Sequence, residues 1–134
     1  MAAEAYHSDY RVYYEDTDMA GIVYHANYLK FFERGRSDAV RSAGIDQGAM
    51  LADGMVFAVV HMDIAFRAPA RFGDVLHIAT TVPRITGAAL HMHQTAHARQ
   101  TLLAEAQIRI ACVTATGKVL RVPAAIRAAL QQAL

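Results

Sequence analysis

The sequence contains few of the residues on which several common kinds of site depend. Its 134 residues include one cysteine, Cys112, and only three serines. A single cysteine cannot form an intrachain disulfide bond, and such a composition is typical of a reducing compartment, so we expect a cytoplasmic protein. Cys112 falls in an apolar run and is interpreted as a core residue. No serine lies in a G-x-S-x-G motif, which excludes the serine esterases built on that motif.

Long apolar runs are also missing. Nothing in the sequence approaches the ~20 consecutive apolar residues that a membrane-spanning helix needs. The first residues include Glu4, His7 and Asp9 and show no apolar run of the kind found in signal peptides. We therefore expect neither membrane insertion nor a cleaved leader.

The sequence favours neither a metal site nor a protein-bound cofactor. Glycine-rich loops that hold nucleotide phosphates do not occur. His91, His93 and His97 share one face of a predicted strand, but no carboxylate lies near them in the sequence, and a polar outer face explains them as well as zinc does. The acidic segment that begins at Asp16 lacks the ligand spacing of an EF-hand loop. We expect no metal and no cofactor.

Charge is distributed unevenly along the chain, although the net charge is only +1. Beyond Asp63 there are eight lysines and arginines but only two acids, Asp74 and Glu105, which gives that half a net charge of +6. A polyanionic ligand would be attracted to it. Nucleic acid is not expected, because no aromatic residues alternate with these arginines and no run of bases occurs.

Hydrophobic periodicity predicts one α+β domain spanning residues 1–134. Hydrophobic residues make up 54% of the chain, enough for a core without disulfide or metal support. One helix followed by strands in short-loop succession predicts an antiparallel sheet with the helix packed on it. The predicted strands are 10–14, 55–66, 75–82, 89–99 and 102–114, the helices are 28–43 and 124–133, and 45–54 is predicted to be an irregular connection. In the strand 55–66, the residues predicted to share the core face are Ala58, Val60, Met62, Ile64 and Phe66.

The most informative segment runs from Tyr13 to Gly44 and combines an acidic turn, a short apolar bridge and the amphipathic helix. Asn27 is a plausible N-cap for this helix, and Gly44 stands where a left-handed residue is expected to end it. Gly35 lies inside the apolar stripe, where glycine destabilises a helix by about 1 kcal/mol relative to alanine. We therefore expect the helix backbone to approach a packed surface closely at Gly35.

Asp18 occupies a position from which a carboxylate can do chemistry. It precedes the start of the helix by a few residues. Free N–H groups at a helix start can polarise a carbonyl oxygen, and a nearby carboxylate can attack that carbonyl or deprotonate water. The simpler interpretation is that Asp16 and Asp18 only stabilise the turn through bonds to backbone N–H groups. The spacing alone leaves both interpretations open.

Three stretches of the sequence together resemble a known family. They are Asp16–Tyr28 (DTDMAGIVYHANY), Phe32–Arg36 (FERGR) and Phe66–Asp74 (FRAPARFGD). In these stretches the chain resembles the hotdog-fold acyl-CoA thioesterases of the 4-hydroxybenzoyl-CoA thioesterase type, and most closely those associated with the Tol–Pal system. The resemblance implies an antiparallel sheet wrapped around a long central helix. It also implies a homodimer or a dimer of dimers with the sites at subunit junctions.

The resemblance further implies roles for individual residues. Asp18 would be the catalytic carboxylate, acting as nucleophile or as general base. His25 would present its backbone N–H to the thioester carbonyl, and its imidazole could orient water. The implied substrate-binding residues are Gly21, Tyr24, Asn27, Glu33 and Arg67. Relatives that carry a basic cluster for the nucleotide have it in a hairpin that corresponds to residues 84–89, where this chain differs.

The expected function is hydrolysis of a small acyl-CoA, with a short-chain or aromatic acyl group, to the free acid and coenzyme A. An acyl carrier protein thioester is an alternative substrate. A hotdog hydratase would share the fold, but no hydratase-type His-plus-acid motif occurs. A non-catalytic acyl-CoA binding or scaffold protein is the remaining alternative, and the Asp18, Gly21 and His25 pattern argues against it. The sequence does not specify the acyl group.

Overall fold

The structure is a computed structural model that describes residues 4–134. Its strands are β1 (Tyr6–Arg11), β2 (Met55–Phe66), β3 (Val75–Ile85), β4 (Ala89–Ala98), β5 (Thr101–Thr114) and β6 (Val119–Leu120). Its helices are α1 (Tyr28–Ser42), α2 (Gln47–Ala52) and α3 (Ala124–Ala133), and two 3-10 turns cover Tyr14–Asp16 and His25–Asn27. Within the described residues, no helix is long and apolar enough to cross a membrane.

All strand pairs are antiparallel. The strand order is β1-β3-β4-β5-β2, and β6 pairs with β5 through Cys112 and Val113. Both β1 and β2 are therefore edge strands in the described part of the chain. Helix α1 packs on one face of this sheet, chiefly across β3 and β1. The α+β architecture with an antiparallel sheet is confirmed.

Helix α1 buries one face because its apolar residues recur at helical spacing. Its 15 residues span about 22 Å. The buried set is Tyr28, Phe31, Phe32, Gly35, Arg36, Ala39 and Val40. Phe31 and Phe32 are fully buried with Leu76 and Ile78 of β3 in a single core cluster. The predicted apolar stripe is confirmed, with one addition, the charged residue Arg36.

The close approach expected at Gly35 is present. A Cβ atom built on Gly35 would lie 2.6 Å from Ile78 Cγ2 and 3.1 Å from Gln94 Nε2. Any side chain here would push α1 away from β3 and β4. Gly35 therefore stabilises the packed state although it lowers the helix propensity. At the end of the helix, Gly44 has φ +88°, as predicted for a left-handed terminator.

Three sequence-based boundaries were wrong. The first strand is Tyr6–Arg11 rather than 10–14, because the Asp16 carboxylate accepts the Tyr13 N–H and folds the chain into a 3-10 turn. The connection 45–54 contains helix α2, whose N-cap Asp46 accepts the Ala49 N–H at 3.1 Å. Strand β3 continues through Pro83, which lies at a β-bulge where no ladder N–H is needed.

The predicted core face of β2 was also wrong in part. A bulge between Val59 and His61 inserts Val60 as an unpaired residue. The bulge shifts the side-chain alternation by one, so that Phe57 packs against the core before it and Met62 after it. Val60 is left 50% exposed, and Phe66 at the end of the strand is 52% exposed. Periodicity cannot reveal a bulge, since one inserted residue reverses the two faces.

Candidate active site

Asp16 holds the acidic turn against the start of α1. Its buried carboxylate accepts the Tyr13 N–H at 2.9 Å and the Asn27 side-chain amide at 3.0 Å. Its carbonyl oxygen accepts the Tyr24 N–H at 3.0 Å. Three bonds from one residue therefore fix the turn relative to the helix. Asn27 occupies the N-cap position of α1, as predicted, but its side chain makes no cap bond and its amide donates to Asp16 instead.

Asp18 is held in the next turn but is exposed. Its Oδ1 accepts the Ala20 N–H at 2.9 Å, while its own N–H and carbonyl oxygen bond to Ile22 and Gly21 at 2.9 and 3.0 Å. Gly21 has φ +79°, and a Cβ atom added there would meet nothing within 4 Å, so glycine is needed for its backbone conformation rather than for space. The backbone is thus fixed at both ends of this turn, and the carboxylate faces open space with Oδ2 unbonded.

The start of the helix provides free hydrogen-bond donors. His25 is the first residue of the 3-10 turn that leads into α1. Within residues 4–134, the N–H groups of His25 and Ala26 donate to no acceptor. Such orphan donors at a helix start carry the positive end of the helix dipole. They can bind a carbonyl or carboxylate oxygen.

The segment Phe66–Asp74 lies beside both features. The Val23 N–H donates to the Ala70 carbonyl at 2.8 Å, and the Ala70 N–H donates to the Tyr28 hydroxyl at 3.1 Å. Burial raises the pKa of Tyr28, so its hydroxyl stays protonated. The Phe72 N–H donates to the Gly21 carbonyl at 3.3 Å. Two stretches about 50 residues apart in the sequence are therefore joined into one unit.

Asp74 closes this segment. Burial alone would raise the pKa of its carboxyl, but hydrogen bonds from the Arg99 guanidinium and the Arg71 N–H outweigh burial and lower that pKa. The Asp74 side chain is only 15% exposed, so its ion pair with Arg99 is partly shielded from solvent. This pair anchors the segment against the turn between β4 and β5.

Two cavities flank the unit. The first is an open groove of about 840 Å³, lined by Tyr14, Thr17, Asp18, Met19, Gly21 and Phe72. The second measures about 300 Å³ and is lined by Ile22, Val23, His25, Tyr28, Phe66, Arg67, Ala68 and Pro69. The Ile22 side of the Asp18 turn belongs to the second cavity, and the Gly21 side belongs to the first. The carboxylate and the helix start thus lie on adjoining grooves.

The predicted site residues do not all lie together. Asp18 and Gly21 line the first groove, and His25 and Arg67 line the second. The Tyr24 ring lies 4.6 Å from the His25 ring and is 48% exposed. Asn27 bonds to Asp16, as described above. Glu33 lies in a third cavity farther along α1, where its carboxylate accepts the Ser37 hydroxyl at 3.0 Å.

Some of the basic residues beyond Asp63 form ion pairs within the protein. Arg67 pairs with Glu105 at 3.4 Å, and His93 contacts the same carboxylate at 2.8 Å. The hydrogen bond from His93 is the main reason that the pKa of Glu105 is lowered, and Arg67 adds to it. The sequence shows no carboxylate near His93, but the fold brings Glu105 beside it from the neighbouring strand β5. Among residues 4–134, no three such side chains are arranged to hold a metal ion.

Sequence reasoning missed one polar network in the core. Arg36 donates to Gln94 Oε1 at 3.1 Å, and Gln94 Nε2 donates to the Phe32 carbonyl and to the Thr80 hydroxyl at 2.9 and 3.0 Å. Thr80 and Gln94 are fully buried, and Arg36 is 9% exposed. A signal was available, because Arg36 follows Phe32 and precedes Val40 by four residues and so lies on the apolar stripe.

The comparisons with known proteins agree with this architecture. The family model of the thioesterase-like superfamily matches residues 12–130. The acyl-CoA thioester hydrolase YbgC of Escherichia coli is 42% identical over 104 residues, which cover 77% of this chain and 78% of that protein.

Two solved structures have the same fold. The crystal structure of a probable thioesterase from Bartonella henselae has a TM-score of 0.84 and 40% identity, and the match covers 89% of this chain and 99% of that one. A 1,4-dihydroxy-2-naphthoyl-CoA thioesterase from Synechocystis has a TM-score of 0.86 and 25% identity, with coverage of 94% and 95%. With a family model that spans most of the domain and relatives at this identity, the chain belongs to the thioesterase-like superfamily and has the hotdog fold.

Proposed function

We propose that this protein hydrolyses the thioester bond of a small acyl-CoA and releases the free acid and coenzyme A, with Asp18 as the catalytic carboxylate. The proposal is carried by two features on neighbouring grooves, an exposed, backbone-held carboxylate and the unbonded N–H groups of the 3-10 turn that leads into α1. The relatives that are named acyl-CoA thioester hydrolases support the choice of substrate class.

The chemistry requires little else. The N–H groups of His25 and Ala26 would bind the thioester oxygen and stabilise the negative charge that develops on it. As a nucleophile, Asp18 would attack the carbonyl carbon, the carbon–sulfur bond would break, and water would then hydrolyse the resulting acyl anhydride to the free acid. As a general base, Asp18 would instead take a proton from a water molecule that attacks the carbonyl carbon, after which the carbon–sulfur bond breaks. The departing thiol has an ordinary pKa of about 8.5, so the thiolate leaves without a strong general acid. Coenzyme A is part of the substrate, and we propose that no cofactor takes part.

The cavity sizes support a small acyl group. The groove beside His25, about 300 Å³ in volume, is lined largely by apolar side chains, which suit a short-chain or aromatic acyl group. Tyr28 and Phe66 meet edge to face at 5.5 Å and would form an aromatic wall. A Synechocystis relative is named as a thioesterase for an aromatic acyl-CoA. Arg67, at the rim of this groove, would contact the substrate's phosphates or acyl end.

We also propose a homodimer or a dimer of dimers in the cytoplasm, with β2 at the subunit interface. β2 is an edge strand and exposes Val59, Val60 and Phe66. An unpaired edge with apolar side chains favours pairing with another strand. Phe66 also lines the groove beside His25, so a second copy at β2 would lie next to the site. The single thiol, Cys112, is compatible with a reducing compartment.

The direct test is a thiol-release assay on a panel of acyl-CoA thioesters that range from acetyl to dodecanoyl and include benzoyl and hydroxybenzoyl groups. We expect the highest kcat/KM for a short-chain or aromatic acyl group. An acyl carrier protein thioester and an enoyl-CoA hydration assay serve as comparison reactions. Binding of acyl-CoA with no turnover on any member of the panel would indicate a binding or scaffold protein and would contradict the proposal.

A further inference from the structure

The third cavity has an unusual charge arrangement. It measures about 160 Å³ and lies between α1, α2 and the sheet, and its polar border consists of Glu33, Arg36, Ser37 and Gln47. Apolar side chains from three strands form its floor. The polar side chains all come from the two helices. Its two charged groups are the Arg36 guanidinium and the Glu33 carboxylate, and the guanidinium is the one that can bind an anion.

Arg36 borders this cavity and is held by a buried hydrogen-bond network. Gln94 donates to the Phe32 carbonyl, which can only accept, so the Gln94 amide must present Oε1 to Arg36. Thr80 bonds to the same amide nitrogen and fixes it further. Of the four buried polar residues that the structure describes, Asp16 belongs to the turn and the other three form this network. The network orients the guanidinium.

The guanidinium has donors to spare. It makes one hydrogen bond, through Nη1, out of the five that an arginine can donate. Among the described residues, the only buried side-chain nitrogen or oxygen without a partner is Ser8 Oγ, so the unbonded Arg36 nitrogens reach open space rather than the packed core. Since Arg36 borders the cavity, these donors face into it.

Arg36 also lacks a bonded counter-charge. Within residues 4–134, no carboxylate lies within ion-pair distance of it. Glu33 is the acid whose charge acts on Arg36, but its carboxylate accepts the Ser37 hydroxyl. Burial lowers the pKa of Arg36, and Glu33 offsets this only in part. The guanidinium therefore has no carboxylate bonded to it, and a carboxylate that enters the cavity could accept its unused donors.

We propose that the Arg36 cavity is a binding site for a small aliphatic carboxylate. A carboxylate matches the planar guanidinium, which can donate two parallel hydrogen bonds to it, and the apolar floor suits a chain of a few methylene groups. The carboxylate could belong to the acyl chain of a dicarboxylic acyl-CoA, in which case the site determines substrate specificity and rests on the proposed function. It could equally belong to a free acid. The chemistry of recognition is the same.

The first experiment measures binding without catalysis. Pentanoate and glutarate are titrated into the protein by calorimetry, with pentanamide as the uncharged analogue of pentanoate. We expect both carboxylates to bind and pentanamide to bind much more weakly. Arg36→Gln should weaken carboxylate binding by roughly 10- to 100-fold, as the loss of a hydrogen bond between charged groups predicts. Glu33→Gln should strengthen it, because a like charge at the cavity wall is removed.

Two further variants keep the test decisive. Arg34→Gln removes an exposed guanidinium from the same helix and should leave binding unchanged. Gln47→Trp fills the cavity from the exposed side of α2, away from β2 and from the network, and should abolish binding even if Arg36→Gln fails to fold. Equal binding of pentanoate by wild type, Arg36→Gln and Gln47→Trp would overturn the proposal, as would the absence of carboxylate binding to the wild type.

The second experiment separates the two sources of carboxylate. It compares kcat/KM for glutaryl-CoA and pentanoyl-CoA, which differ in the terminal carboxylate. If Arg36→Gln lowers the glutaryl to pentanoyl ratio about tenfold or more, the acyl chain supplies the carboxylate. If the ratio is unchanged while the variant has lost binding of free pentanoate, a free acid is the ligand. A protein inert toward all thioesters would contradict the proposed function but leave the calorimetric test valid.

Discussion

At the scale of single residues, two acids two positions apart perform different tasks. Asp16 is buried and uses its carboxylate to hold the turn, whereas Asp18 is exposed and keeps one carboxylate oxygen unbonded. The hydrogen-bond donors around them account for the difference. Asp16 is surrounded by N–H groups from both sides of the turn, and Asp18 meets only the Ala20 N–H. A free carboxylate oxygen is what a nucleophile or base requires.

Replacement of Asp18 tests the proposed catalytic role. Asp18→Asn keeps the size of the side chain and its oxygen acceptor for Ala20 but removes the nucleophile or base. We expect kcat to fall by roughly 10²- to 10⁴-fold, with little change in melting temperature. Steady-state kinetics on the best acyl-CoA, together with thermal unfolding, check both expectations.

Glu15→Gln is the matched control for this variant. Glu15 is an exposed acid in the 3-10 turn before Asp16, and its replacement removes a negative charge from the same turn. We expect near-normal turnover. If Asp18→Asn and Glu15→Gln have similar activity, Asp18 is only a turn residue.

Asp16 is expected to matter for stability. Asp16→Ala leaves the Tyr13 N–H and the Asn27 amide without their acceptor. The free energy of unfolding should fall by about 1–3 kcal/mol, the usual effect of leaving buried donors unpaired. Urea denaturation of the variant and the wild type measures this. A variant as stable as wild type would show that water replaces both bonds without loss.

At the scale of elements, the contact between α1 and the sheet depends on one missing side chain. Gly35 lies against Ile78 and Gln94, and the close approach lets the Phe32 carbonyl reach the Gln94 amide. The same contact therefore positions the network behind Arg36. Helix propensity and packing act in opposite directions at Gly35, and the 2.6 Å distance to Ile78 indicates that packing dominates.

Gly35→Ala tests which effect dominates. Alanine would gain about 1 kcal/mol in helix propensity, but overpacking of a core typically destabilises by about 1–3 kcal/mol. We expect a net loss of stability. Gly48→Ala in α2 is the control, because its Cβ would meet only the Asp46 carboxylate oxygen, at 3.2 Å. Chemical denaturation of both variants gives the comparison, and a stabilised Gly35→Ala would refute the packing argument.

The Asp74–Arg99 pair gives the site segment a pH dependence. The pKa of Asp74 is lowered in the folded state, so its contribution to stability is complete above the ordinary aspartate pKa of about 4 and is lost as the pH falls through the lower, folded value. We expect Asp74→Asn to reduce the melting temperature at neutral pH and to lose less stability than wild type below about pH 4. Thermal unfolding of both proteins from pH 7 to pH 2.5 checks the expected difference at neutral pH and its decrease at acidic pH. If the melting temperatures of wild type and Asp74→Asn change with pH in the same way, Asp74 contributes nothing to the pH dependence.

At the scale of the whole molecule, the described domain leaves one long sheet edge uncovered. β2 has 12 residues, and its outer edge has no strand partner within residues 4–134. The Val60 bulge adds an exposed apolar side chain at this edge. Both grooves of the candidate site are open in the single chain. A second copy at β2 would cover the edge and add a wall beside Phe66.

The dimer proposal predicts a specific effect of charge on β2. Val60→Arg should shift the protein towards the monomer in light scattering at micromolar concentration and lower kcat/KM, since a charge would be buried at the interface. Val119→Arg, at a similarly exposed valine on β6, should change neither property. A wild-type protein that is monomeric and fully active would contradict the proposed assembly.

The helix α1, most of the strands and the family could be predicted from the sequence. Periodicity identified α1, β4, β5 and α3 nearly to the residue, because these elements keep one face buried over their whole length. The turn at Gly21 and the helix end at Gly44 could be predicted because both glycines have positive φ, a conformation that few other residues adopt. The motif from Asp16 to Tyr28 indicated the family.

By contrast, the sequence could not predict which polar groups far apart in the chain bond to each other, and only the tertiary structure shows these pairs. The bulge at Val60 reversed the faces of β2, and a single inserted residue leaves no periodic signal. The separation of Glu33 from Asp18, and the network that joins Arg36 to Gln94 across 58 positions, depend on how α1 lies on the sheet. Local sequence sets a residue's conformation and its face, but hydrogen-bond partners distant in the chain are set by packing, which no short stretch encodes.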